Sequence, residues 1–119
     1  MIDETFAQRF ARSWMAAWNR RDLDRVLSHY ADDFEFYSPF IAQITGDAAG
    51  RVLGKEEARV YWSEGLRRVP DLQFELLAVC RGIKSVVIHY RGLKGVLAAE
   101  VFYFDSEGKV RASSAHYAA

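Results

Sequence analysis

Glu100 is the residue in this chain whose setting most suggests chemistry. It stands in the run Ala98–Ala99–Glu100–Val101–Phe102–Tyr103–Phe104. Strand alternation puts it on one face with Phe102 and Phe104. Burying a carboxylate among rings is costly, so an acid so placed should have a raised pKa and a polar partner. Such a group can give or take a proton near neutrality. A core acid satisfied by its neighbours, or one at a wet edge of the fold, gives the same pattern, and both alternatives stay open.

Other titratable groups offer less. His89 alternates with Val86, Ile88 and Tyr90, and His116 with Ser113, Ala115 and Tyr117. Each histidine therefore points away from those neighbours. His29 lies beside the apolar face of a short helix, where exposure is expected. Asp32 and Asp33 resemble a carboxylate pair, but they follow a helix end, where solvated turn acids are ordinary. No His, Cys, Asp or Glu residues fall at metal-ligand spacing on a well-placed element, so neither a metal nor a cofactor is expected. The glycines ending at Gly54–Lys55 invite comparison with a phosphate loop. Ala49 and Glu56 stand where that motif needs Gly and Ser or Thr, which removes nucleotide binding.

Composition narrows the classes further. The 119 residues suit one domain over 1–119, and 50% are hydrophobic, enough for a core. Sixteen basic residues balance sixteen acidic ones, so no nucleic-acid or membrane-surface footprint is expected. Arg20–Arg21 and Arg67–Arg68 are doublets at helix ends, where cations offset the helix dipole. Cys80 is the single cysteine, and no internal disulfide can form. The opening MIDETFAQRF has no basic stretch before an apolar run, and no segment approaches the ~20 apolar residues of a membrane span. The expected location is cytoplasmic.

These residues must be held by elements that the pattern also indicates. Asp3 can cap a helix over about 4–19 in which Phe6, Phe10, Trp14 and Trp18 recur every fourth residue and form one stripe. Core packing explains the stripe unless it borders a cavity. A second short helix opens at Asp22 and turns Leu23, Val26, Leu27 and Tyr30 inward. A strand through Phe34, Phe36 and Ser38 stops at Pro39. Residues 40–54 read as a long glycine-containing loop. The third helix sets Ala58, Tyr61, Trp62, Gly65, Leu66 and Val69 on one face and ends at Pro70. Four strands follow, at about 72–80, 84–91, 96–105 and 109–117, joined by short turns containing Gly82, Gly92, Gly95 and Gly108. Helices followed by an antiparallel meander indicate an α+β fold.

WMAAWNRRDLDRVLSHYADDFEFYSP over 14–39 resembles the opening of the SnoaL-like, ketosteroid-isomerase-like branch of the nuclear transport factor two-like superfamily. GKEEARVYW, VPDLQFEL, SVVIHYRG, AAEVFYFDSEGKV and AHY continue the resemblance in family order. It implies a cystatin-like α+β roll, a cone of curved antiparallel sheet with about five to six strands closed by three helices. It also implies a homodimer. Ketosteroid isomerases of this fold use a helix-one tyrosine and a buried protonated acid as oxyanion donors, and an aspartate as base. The matching positions here are Trp14, Glu100 and Ser38. Ser38 is no base without a group to take its proton, and losing a positioned base removes typically ~10²–10⁴-fold of rate. Trp14 can donate an N–H but does not titrate. Steroid isomerisation by the family route is therefore not expected.

Trp62 matches a position where the isomerases have a pocket tyrosine. The resemblance makes the face of Ser113, Ala115 and Tyr117 the inner one, which leaves His89 and His116 outside or at a dimer seam. Val87, Val101 and Tyr103 then form an outer apolar patch suited to a second copy. The expected ligand is a small, mostly apolar organic molecule bounded by Trp14, Trp18, Ser38, Trp62, Phe102 and Tyr117. Glu100 would be the acid or base of an isomerase-, cyclase- or hydratase-like proton transfer, with Trp14 and Ser38 orienting the substrate. A non-catalytic binding or dimerisation module is the alternative, and an aromatic interior filled by its own side chains would exclude any ligand.

Overall fold

Each helix start carries a local reason in the sequence. Asp3 caps α1 (Glu4–Asn19), its carboxylate accepting from the backbone N–H of Thr5 and Phe6. Asp22 caps α2 (Leu23–Leu27) through the N–H of Arg25. These observations come from a computed structural model that describes residues 1–118. The chain continues through β1 (Tyr30–Tyr37), α3 (Pro39–Thr45), β2 (Arg51–Leu53) and α4 (Gly54–Arg68). It ends with β3 (Glu75–Arg81), β4 (Ser85–Arg91), a 3-10 turn over Leu93–Gly95, β5 (Leu97–Phe104) and β6 (Val110–Tyr117).

One six-stranded sheet runs in the order β2-β1-β6-β5-β4-β3. Every neighbouring pair is antiparallel except β1 and β6, which are parallel. The expected all-antiparallel sheet is corrected at that seam. The chain leaves β1, builds the rest of the fold, and returns beside it in the same direction. Register shifts in the β1–β6, β3–β4 and β5–β6 pairs bend the sheet. Its concave face receives α1 and α4, and the core lies between.

The expected loop over 40–54 is the largest correction, for it contains both α3 and β2. Ser38 caps α3 by accepting from Phe40 N–H, Pro39 fits the first turn, and Gly46 ends it in a left-handed conformation. β2 then pairs with the end of β1. Gly50 allows the close return, since a Cβ there would come within 3.0 Å of the Ser38 carbonyl. Four α-helices thus replace the expected three. Tyr30, expected on the second helix, instead begins β1 and is fully buried.

The Asn19–Arg20–Arg21 corner does more than end a helix. The Asn19 side chain takes Phe74 N–H at 2.7 Å and donates to the Phe74 carbonyl at 3.0 Å. The Arg21 guanidinium donates to the carbonyls of Val69, Pro70 and Leu72. Both side chains thereby fasten the connection from α4 to β3 onto α1. The dipole argument for the Arg20–Arg21 doublet misses this, because its partners lie about fifty residues away.

Candidate functional site

A cavity of about 320 Å³ opens between α1, α3, α4 and the concave sheet. Trp14, Trp18, Ser38, Trp62, Glu100 and Tyr117 all border it. Phe102 does not. It is fully buried behind the cavity, edge-on to Phe10 and Trp14, and belongs to the solid core. The interior is therefore not closed by its own aromatics.

Strand pairing explains why space remains. On the inner face Tyr90, Ala98 and Tyr117 form one cross-strand row, and Ile88, Glu100 and Ala115 the next. The alanines leave room between larger neighbours. Opposite them, α4 presents Gly65, whose missing side chain leaves open space. Phe74 stacks on Trp14 and leans on Tyr90, closing one side. Phe74, Val69 and Leu72 all border the cavity, so the Asn19 and Arg21 contacts fix one of its walls.

Glu100 is the buried acid of this space, only 4% exposed. The Tyr90 hydroxyl donates to its Oε1 at 2.8 Å. Burial raises the Glu100 pKa to about 7, against the opposing pull of the Tyr90 hydrogen bond. Near neutrality this carboxyl can therefore act as donor or acceptor. Tyr117 faces Ser38 and Tyr90, and burial raises its pKa despite those hydroxyls. Tyr90 is raised by burial first and by the charge of Glu100 second. A polar seam of hydroxyls and one acid thus runs through an otherwise apolar cavity.

The expected substrate-orienting groups are differently engaged. Trp14 Nε1–H donates to the Tyr30 hydroxyl at 3.0 Å, so its ring bounds the cavity while its N–H is spent within the protein. Ser38 Oγ accepts from Phe40 N–H at 3.2 Å as the cap of α3. That cap occupies one lone pair of the hydroxyl, and Tyr117 faces the same group from the sheet. Tyr90 is a site residue that sequence pattern does not single out, and Tyr30 supports the site from the core behind Trp14. Parity places Tyr90 on the inner face, but nothing local links it to Glu100 ten residues on.

His89 and His116 lie on the outer sheet face, on either side of Ala99 in one cross-strand row. His29 departs from its expected exposure. It is half-buried, shares a 2.9 Å hydrogen bond with Ser13 Oγ, and meets the Phe10 ring edge-on. Burial lowers its pKa first, and the charges of Lys109 and Arg25 add to this. Asp32 and Asp33 lie within β1 and not in a turn; both are exposed, and Asp32 pairs loosely with Lys55 at 3.6 Å. Among the described residues no three His, Cys, Asp or Glu side chains gather as a metal site requires. None of the described helices is long and apolar enough to cross a membrane.

Residues 11–112 match the family described as the SnoaL-like domain. A SnoaL-like protein of unknown function from Burkholderia thailandensis is 54% identical, over 99% of this chain and 98% of that one, with a TM-score of 0.96. A cystatin-like-fold protein of unknown function from Methylobium petroleophilum is 16% identical over 99% of this chain and 79% of its own, with a TM-score of 0.79. A proposed ketosteroid isomerase from Kribbella flavida is 13% identical over 97% and 79%, with a TM-score of 0.73. The last two likenesses concern the fold alone. No curated protein matches the chain. The match over residues 11–112, together with the near-complete Burkholderia counterpart, establishes that this chain belongs to the SnoaL-like domain family.

Proposed function

We propose that the cone takes up a small, mostly apolar organic molecule and that Glu100 exchanges a proton with it in an isomerase-, cyclase- or hydratase-type step. The observation that carries this reading is an open apolar cavity with one buried acid, hydrogen-bonded to Tyr90 and raised to about 7. A general acid or base works best when its pKa lies near the operating pH. Tyr90 donates its one hydroxyl hydrogen to Oε1 of that carboxyl and so holds it in place, leaving the other carboxyl oxygen to meet a ligand's carbonyl or enolate oxygen.

A non-catalytic binding module is the second reading. It is favoured by Ser38, which stands where isomerases of this fold have their base and whose oxygen caps α3. A homodimer is proposed on the outer face, where Val87 and Val101 are half-buried and Tyr103 and Leu97 are exposed. A cytoplasmic setting suits a chain whose one cysteine is free and exposed.

Native mass spectrometry of the purified protein would detect a retained ligand and the oligomer together. With that ligand or its analogue, Glu100→Gln should lower turnover ~10²-fold or more and flatten the pH profile near 7 while leaving affinity within a few-fold. Unchanged turnover and unchanged pH dependence would remove the catalytic role and leave the binding module.

A further inference from the structure

Charge is unevenly placed around the cavity. Two bordering side chains are of the kind that carries full charge, Glu100 and Arg68. Glu100 is buried on the sheet side, whereas Arg68 is exposed at the end of α4, beside the mouth. Exposed Gln43 and half-buried Tyr61 also border the cavity. Burial raises Tyr61 to about 12, and the Arg68 charge pulls against that shift, which places the guanidinium near the phenol. Neither the Tyr61 hydroxyl nor the Gln43 amide has a hydrogen-bond partner among the described residues.

Arg68 is also oriented. Its Nε donates to Glu64 Oε1 at 2.9 Å. The same carboxylate takes Arg67 Nε at 2.9 Å and Nη2 at 2.6 Å. One carboxylate is thus shared by two cations, and a positive charge is left over. The Nη edge of Arg68 has no carboxylate among the described residues.

We infer that the mouth of the cavity is an anion subsite, and that the molecule held there is an apolar carboxylic acid with its carboxylate at Arg68. This rests on the reading that the cavity holds an apolar molecule. The guanidinium fork matches a carboxylate, and Tyr61 and Gln43 can add neutral donors. The opposite orientation would set the ligand's carboxylate against Glu100, in a buried setting with no cation to balance it. An apolar acid therefore enters one way round, body inward and charge at the rim.

The three tryptophans of the chain, Trp14, Trp18 and Trp62, all border the cavity, so their fluorescence reports its occupancy directly. The probes are 1-naphthylacetate and 1-naphthylacetamide, which share a body and differ in charge. At pH 6 and low salt, where Glu100 is mostly neutral, the acetate should bind the unmodified protein about five- to tenfold more tightly than the amide. Arg68→Gln should abolish that preference, Arg68→Lys should keep part of it, and Arg12→Gln, an exposed arginine of α1 that does not border the cavity, should leave it intact. Equal affinities in the unmodified protein would overturn the subsite, as would a preference that survives Arg68→Gln or is lost equally in Arg12→Gln. In all those cases quenching by the amide leaves the apolar cavity standing. Quenching by neither probe overturns the cavity reading and the subsite together.

Discussion

The aromatic stripe of α1 meets two different environments along one helix. Its first half, Phe6 and Phe10, packs edge-on against Phe102 and Phe104 and fills the fold. Its second half, Trp14 and Trp18, borders open space. The four rings have the same spacing and the same buried side. What separates them is the opposite wall. At the filled end β5 offers phenylalanines. At the hollow end it offers Glu100 and Ala98, with Ala115 of β6 beside them, while α4 offers Gly65. An aromatic stripe thus reports burial, and the residues across from it decide between core and cavity.

The sharpest way to break the comparison is to hollow the filled end. Phe10→Ala should cost ~3–5 kcal/mol of stability in denaturant unfolding, because close-packed rings lose their contacts and a void remains. It should leave ligand affinity nearly unchanged if the two ends are independent. A matching loss of affinity would show that they are one unit.

A second measurement concerns the acid that marks the hollow end. The folded pKa of Glu100 lies above its ordinary 4.5, so the proton favours the folded state. The stabilisation associated with this group is complete below about 4.5 and is lost as pH rises through about 7. A shift from 4.5 to about 7 corresponds to roughly 3 kcal/mol between those limits. Glu100→Gln should remove this pH dependence and make the protein the more stable of the two above pH 8. Parallel stability–pH curves for the two proteins would mean that Glu100 is solvated.

The smallest effect comes from adding a methyl group where the fold is open. Gly65 lies inside α4 and a Cβ there meets nothing within 4 Å. Gly65→Ala should therefore raise stability by ~0.5–1 kcal/mol, visible as a higher midpoint in thermal unfolding. It should also weaken binding of the bulkiest ligands, since Gly65 borders the cavity. A destabilised variant would mean that this end is already packed.

Much of the fold is legible in local stretches of the chain. The Asp3 and Asp22 caps, the apolar face of α4 and the strand alternation of β4 to β6 are local patterns, and each specifies its element. The same alternation sets Glu100 on one face with Phe102 and Phe104, and with the family resemblance it puts His89 and His116 on the outer one. In the segment 39–53, α3 has local signals in Ser38, Pro39 and Gly46, which the reading of Pro39 as a strand stop passes over, whereas β2 is short and held by contacts at a distance. β2 exists through its pairing with β1, and the bend at Gly50 depends on the Ser38 carbonyl. Parity misplaces Phe102 into the lining because it gives a side of the sheet and not a depth along it.

By itself the sequence determined the order of most elements, which follows from periodicities of two and 3.6 and from caps within a few residues, while the family and the inner face of the sheet came from its resemblance to SnoaL-like chains. Tertiary structure alone decided that the cone is hollow at one end. It joined Tyr90 to Glu100, spent the Trp14 N–H on Tyr30, and fastened the cavity wall through Asn19 and Arg21. Each of these joins residues ten to fifty-five positions apart. Which distant side chains meet is set by how curved sheet and helices pack, and that information lies in no local window of the chain.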